Sequence, residues 1–268
     1  MKKNIEKCMT KLENDLKDDG FRSSIFSRFI VMWTLMTRFP VPQKWWPKDF
    51  IPGHLALVLA PAVGAVLGLL TGVVFAFLTF CGLPQLPAAW LSIFFYALSG
   101  WTIHLDGWGD LWDGMGSGKS GEELREIIKD SRLGSFGAVG LILAFGCWTS
   151  LVSQLPADRV LAALIVSGAM SRFAICTAAY YGTYPWEKGL AKGWVEEFTD
   201  YDWFSSFIVA LLVMPFAPLR WLMALLFIYG AARLTAKHMT VRLGGVNGDV
   251  LGATEVLCEI ITLAVFFI

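Results

Sequence analysis

The run His104-Leu105-Asp106-Gly107-Trp108-Gly109-Asp110-Leu111-Trp112-Asp113-Gly114 is the part of the sequence richest in groups that could do chemistry. Its acids recur at i, i+4 and i+7. On an α-helix that spacing puts Asp106, Asp110 and Asp113 on one face, spread over about 10 Å of axis. Beside apolar segments such a stripe is costly: one Asp at mid-membrane costs roughly 2.5–3.5 kcal/mol on the insertion scale, and like charges one turn apart repel. A cation resolves both problems. All-oxygen ligands without cysteine suit a hard divalent ion, Mg²⁺, Mn²⁺ or Ca²⁺. Gly107, Gly109 and Gly114 leave the helix surface bare enough for a bulky anionic ligand to approach its backbone. His104 reads as a metal ligand, a proton carrier or a polar residue at the headgroups.

Further polar groups could serve the same chemistry. Ser120-x-x-Glu123 has the spacing of a capping box, and Leu124, Ile127 and Ile128 make an apolar stripe behind it. This predicts a short amphipathic helix on the membrane surface. Its end carries Lys129, Asp130, Ser131 and Arg132 ahead of Gly134, a set able to grip phosphate oxygens or simply to anchor the loop on the cytoplasmic side. Arg172 lies inside an apolar run, where a buried guanidinium needs a carboxylate or phosphate partner or must reach the interface. Asp249, after Gly244-Gly245-Val246-Asn247-Gly248, could cap the last helix or join the acidic site. Glu255 and Glu259 share one stripe and could pair with Arg172 or Arg233. Glu187, Lys188, Glu196 and Glu197 read as solvated loop charges. Gly118-Lys119-Ser120 imitates the end of a P-loop, but Asp113 stands where the first glycine is required and no strand precedes it.

The elements that must position these groups follow from composition. Of 268 residues, 56% are hydrophobic and 16% charged, where soluble domains hold about 45–50% and 25%. The chain is therefore expected to be an all-α integral membrane protein. Basic and acidic residues balance at 22 each, which gives no footprint for nucleic acid. The five cysteines are scattered and form no CxxC pair, so neither zinc nor a disulfide framework is indicated. Spans of about 20 apolar residues fall at 55–80, 88–103, 136–154, 160–181, 203–217, 219–235 and 250–268. The third from last ends at Pro215 and Pro218, read as a turn between two helices. Residues 25–39 look interfacial. In the charged extension 1–24, Ile5, Met9, Leu12 and Leu16 recur at helical spacing, as an amphipathic surface segment or a frayed tail. With the N-terminus in the cytoplasm, seven spans put every basic residue except Arg159, Arg220 and Arg172 on the cytoplasmic side, out of 22. The same topology gathers the loops 104–135, 182–202 and 236–249 on that side. No repeat or linker divides the chain, which reads as a single domain over 1–268, with its transmembrane region at 55–268.

Four motifs in this order resemble the cobalamin-5′-phosphate synthase family, also called adenosylcobinamide-GDP ribazoletransferase. They are Thr37-Arg38-Phe39-Pro40-Val41-Pro42, the acidic run from His104 to Gly114, Lys129 to Gly137, and Leu243 to Ala253. The resemblance runs from about residue 28 to the C-terminus. The sequence departs from the family pattern at Trp108, Gly109 and Trp112, and at Tyr184 before Pro185. The resemblance implies a late step of cobalamin (vitamin B12) biosynthesis. α-Ribazole or its 5′-phosphate attacks adenosylcobinamide-GDP, GMP leaves, and adenosylcobalamin or its 5′-phosphate forms. It implies Mg²⁺, with Mn²⁺ as a substitute, and a multi-pass protein of the bacterial cytoplasmic (inner) membrane with its active site facing the cytoplasm. On this reading Asp106, Asp110 and Asp113 hold the metal, and Asp110 or Asp113 accepts the hydroxyl proton. His104, Gly107, Gly114, Lys129, Asp130, Ser131, Arg132, Arg172 and Asp249 surround the substrate, with Arg38 and Asn247 placed there by the resemblance alone. Oligomerisation is left open. The competing readings are a CDP-alcohol phosphotransferase, disfavoured because Asp110 follows Gly109 where that motif carries Ala-Arg; an ion-coupled secondary transporter, disfavoured by the lack of an inverted repeat; and a structural membrane subunit, which leaves the acidic stripe unexplained.

Overall fold

A computed structural model describes residues 19–268 of the chain, with side chains from Ser24 onward. The proposed amphipathic segment at Ile5–Leu16 lies outside the described residues. Among the described residues the fold is helical, without strands. The helices are α1 (Asp19–Met36), α2 (Gly53–Leu57), α3 (Ala60–Phe80), α4 (Gln85–Tyr96), α5 (Thr102–Gly116), α6 (Gly121–Lys129), α7 (Ser135–Gln154), α8 (Ala157–Tyr181), α9 (Lys192–Glu196), α10 (Asp200–Leu211), α11 (Pro218–Leu243) and α12 (Gly248–Val265).

Five helical stretches are long and apolar enough to cross a membrane: α3, α4 running on through α5, α7, α8 and α11. Two predicted spans fall short of that description for identifiable reasons. α10 has 12 residues, about 18 Å of helix, and Met214–Phe216 then turns the chain into α11. The turn expected at Pro215 and Pro218 is therefore present. α12 has 18 residues, but it carries Asp249, Glu255 and Glu259.

α8 is the axis of the molecule. It is apolar around most of its circumference and nearly all of it is buried, as expected of a helix with neighbours on every side. Its broadest partner is α3, with α12, α11 and α10 also packed on it. The α3 contact is close because Gly64 backs onto Gly168, and Gly68 onto the Leu164 carbonyl. Small residues let helix backbones approach in this way.

The helix that carries the acids begins at a break. Residues Ala97–Trp101 form a π-helical turn between α4 and α5, with Gly100 at φ 154°. A side chain at Gly100 would run into the Met36 carbonyl. At this break the Arg38 backbone N–H donates to the Ser99 carbonyl at 2.8 Å, which fixes the segment leaving α1 beside the start of α5.

Candidate functional site

Asp106, Asp110 and Asp113 all lie in α5, as their spacing predicts, but they have different surroundings. Asp106 is exposed, and Asp110 and Asp113 are half-buried. Asp113 turns toward the start of α7, where it accepts from the backbone N–H groups of Gly134 and Gly137, both at 2.8 Å. Gly134 is the N-cap of α7 and has no side chain to offer. The carboxylate of α5 therefore does the capping, and at the positive end of a helix dipole.

A fourth acid completes the cluster. Asn247 caps α12 by accepting from Val250 N–H at 3.1 Å, and it donates to Asp249 at 2.6 Å. Asp249 is thereby relieved of capping, the role first considered for it, and faces α5. The approach depends on Gly107, where a Cβ would stand 2.6 Å from the Asp249 carbonyl oxygen and 2.7 Å from its Cα. The Asp110 carboxylate experiences the negative charges of Asp249, Asp106 and Asp113, in that order of strength.

Two adjoining cavities open beside the cluster and share Asp106 in their walls. One, of about 370 Å³, brings together His104, Asp106, Lys129, Lys188, Asn247 and Asp249. The other, of about 400 Å³, is lined by Arg38, Thr37 and Gly100 as well as Asp106. Lys188, first read as a solvated loop charge, thus lines the site. So do Tyr184 and Trp186, which sequence reasoning missed. Trp186 lies under two cations: the Arg125 guanidinium is 5.2 Å and the Lys129 ammonium 5.1 Å from its ring centroid. The signal available in the sequence was the placement of this loop on the same membrane side as the acids. The loop is held there by Val246 N–H donating to the Thr183 carbonyl at 2.7 Å.

The remaining candidates are distributed as follows. Gly114 packs against Leu124 and Ile128, so the apolar stripe of α6 is turned onto α5. α6 starts at Ser120 as expected, but the capping box does not form: Ser120 makes no capping bond, and Glu123 pairs with Lys119 at 3.0 Å. Ser131 is exposed. Arg132 is also exposed and forks onto Asp130, with contacts of 2.6 to 3.1 Å. That guanidinium holds the Asp130 carboxyl down to about 2. The pair is ionised well below neutral pH, and the Asp130 charge is lost only as pH falls through that value. Trp108 and Trp112 pack on α7: Trp108 donates to the Gly140 carbonyl at 2.8 Å, and Trp112 lies against Gly140.

Arg172 does not reach either cavity. It is fully buried, 2.5 Å from Glu255 and 3.5 Å from Glu259, and bonded to the Tyr96 hydroxyl at 2.6 Å. This closes the first of the two pairings considered for the glutamates. Arg233 instead sits over the Tyr181 and Tyr229 rings. The buried network extends to the site through His104, whose Nδ1 is 3.3 Å from Glu255.

Whether the acids suit a divalent ion can be tested on their charge and chemistry. Among the described residues, Asp106, Asp110 and Asp249 have no basic side chain within 4 Å, so the cluster carries uncompensated negative charge on hard oxygen donors. Among the same residues no three His, Cys, Asp or Glu groups already converge closely enough to hold an ion. The donor set therefore fits a hard cation, and its side chains would have to draw together around one.

Comparison with known proteins agrees with the order of the motifs. A profile of the family described as cobalamin-5-phosphate synthase matches residues 28–267. A Shigella flexneri protein named adenosylcobinamide-GDP ribazoletransferase is 31% identical over 248 residues, covering 88% of this chain and 97% of that protein. An Escherichia coli O139:H28 protein of the same name is 31% identical over 243 residues, with the same coverage. No solved structure matches the chain. With this profile running from α1 to the last turn of the molecule, the chain belongs to the cobalamin-5-phosphate synthase family.

Proposed function

We propose that this protein is an adenosylcobinamide-GDP ribazoletransferase, joining α-ribazole or its 5′-phosphate to the adenosylcobinamide-phosphate moiety and releasing GMP. The observation that carries the reading is the placement of Asp106 from α5 and Asp249 from α12 in the wall of one cavity together with Lys129 and Lys188. Substitution at phosphorus needs alignment of three groups and neutralisation of the diphosphate charge more than covalent help from the protein. Asp106, Asp110 and Asp249 would hold a divalent cation, Mg²⁺ or in its place Mn²⁺, with Asp113 next to them. When bound, the ion would neutralise charge on the diphosphate and on the departing GMP.

The chain's own groups supply the rest. Lys129 and Lys188 offer ammonium groups to phosphate oxygens in the cavity. Arg38 reaches the neighbouring cavity past Asp106, which gives an extended substrate two connected compartments. Asp110 is the better placed of the two proton acceptors, because both Asp113 oxygens already accept backbone N–H groups. An acceptor must stand within hydrogen-bond reach of the attacking hydroxyl, and Asp110 keeps both oxygens for that contact or for the ion.

The topology proposed with this function has seven spans, with the N-terminus and site in the cytoplasm and the host membrane the bacterial inner membrane. The count takes α10 as a short span, and α12 as one because Glu255 and Glu259 are paired inside the protein with Arg172 and Asp249 lies at its end. The test is to incubate the purified protein with adenosylcobinamide-GDP and each acceptor, with products identified by mass spectrometry. GMP and a ribazole-bearing corrinoid are expected in equal amounts. Consumption of a CDP-alcohol, or solute uptake into liposomes without GMP, would instead establish one of the competing readings.

A further inference from the structure

Away from the acidic site, α11 presents a face to the bilayer that is not wholly apolar. Leu222, Leu226, Leu234 and Val241 are exposed along it, four, eight and seven residues apart, within one broad side of the helix. Arg233 and Lys237 are exposed on the same side. The 13 residues from Arg220 to Arg233 span about 20 Å of helix, against a hydrocarbon thickness of about 30 Å. With Arg220 at one boundary, Arg233 and Lys237 fall on the last turns before the other, where long basic side chains reach the headgroups. Neither Arg233 nor Lys237 has a carboxylate within 4 Å among the described residues.

The surroundings of these cations form a site. A groove of about 600 Å³ is lined by Arg233, Lys237, Tyr181, Tyr229 and Thr240. The Arg233 guanidinium lies 4.6 Å from the Tyr181 ring centroid and 5.9 Å from that of Tyr229. The two tyrosine hydroxyls meet at 2.6 Å. Gly230 lines the groove where there is open space, with no neighbour within 4 Å of the position a Cβ would take. Ring faces stabilise the guanidinium while leaving its N–H donors for a ligand.

We infer that this groove binds the phosphodiester headgroup of an anionic phospholipid, with Arg233 and Lys237 on the phosphate, the hydroxyl of Thr240 beside it, and the acyl chains along the exposed leucines. A basic recess between helices at a membrane face is the arrangement that selects such lipids. Free phosphate would satisfy the same cations but has no use for the apolar stripe, so the two sources can be separated.

The experiment is native mass spectrometry of the full-length protein released from nanodiscs of equal phosphatidylglycerol and phosphatidylcholine content, with Arg233→Gln/Lys237→Gln and Lys237→Gln in parallel. The wild type is expected to retain phosphatidylglycerol over phosphatidylcholine by about tenfold, with the double variant near parity. Lys237→Gln changes one exposed side chain and is expected to fall between them, which keeps the test informative if the double variant inserts poorly. Retention by Lys237→Gln equal to that of the wild type would overturn the assignment. So would displacement of the bound lipid by millimolar inorganic phosphate, which would identify a site for the free anion.

Discussion

Asp106, Asp110 and Asp113 share a helix face, yet their surroundings give them different work. Asp106 lines both cavities and Asp110 lies half-buried one turn on; replacing either with Asn is expected to lower turnover per inserted molecule by at least about 100-fold, the scale of losing a charge that stabilises the transition state. Asp113 serves a second purpose by capping α7. Asp113→Asn keeps one acceptor oxygen for two partly buried N–H groups and is therefore expected to lower the melting temperature as well, through a loss of about 1–3 kcal/mol. An Asp113→Asn protein that melts with the wild type would remove that structural role. Trp186 gives a contrasting case. It organises Arg125 and Lys129 without a charge of its own. Trp186→Ala is expected to raise KM for the diphosphate substrate about tenfold with little change in kcat, on the scale of two cation–π contacts. Steady-state kinetics on the nucleotide substrate separates the two parameters.

At the scale of elements, the site is an encounter of α5 and α12, and Gly107 sets its distance. A methyl group there would stand 2.6 Å from the Asp249 carbonyl oxygen. Gly107→Ala is accordingly expected to push the helices apart and cost tenfold or more in turnover, while the circular dichroism of the helices is preserved. The helical phase of the acids was legible from their spacing, because one helix's periodicity is a local property. So were the start of α6, the turn at Pro215 and Pro218, and the loops that would share a membrane side. The partnership between Gly107 and Asp249 was not, since a glycine does not say what approaches it. Nor was the division of labour between Asn247 and Asp249 at the start of α12, where either side chain could have capped. The packing of Trp108 and Trp112 on α7 was hidden for a similar reason: an aromatic at a helix end does not say in sequence which neighbour it will meet.

The whole molecule is organised around α8 and the buried Arg172 it carries. Composition revealed a membrane protein, but apolar runs facing lipid and facing protein look the same, so the central position of α8 was hidden. Arg172 holds Glu255 and Glu259 in the interior. Arg172→Ala would leave those acids without their partner and is expected to destabilise the fold by about 3–5 kcal/mol, read as a lowered melting temperature in detergent. Its location predicts a stability defect rather than a binding defect. The proposed chemistry requires the acidic face to work with a divalent cation on the diphosphate. The most direct test is GMP release from adenosylcobinamide-GDP and α-ribazole as free Mg²⁺ is titrated, for the wild type and Asp110→Asn in proteoliposomes. Release is expected to saturate with Mg²⁺, to stop on chelation and to be at least about 100-fold slower in the variant. Release that persists without a divalent ion, or at an undiminished rate in Asp110→Asn, would contradict that chemistry.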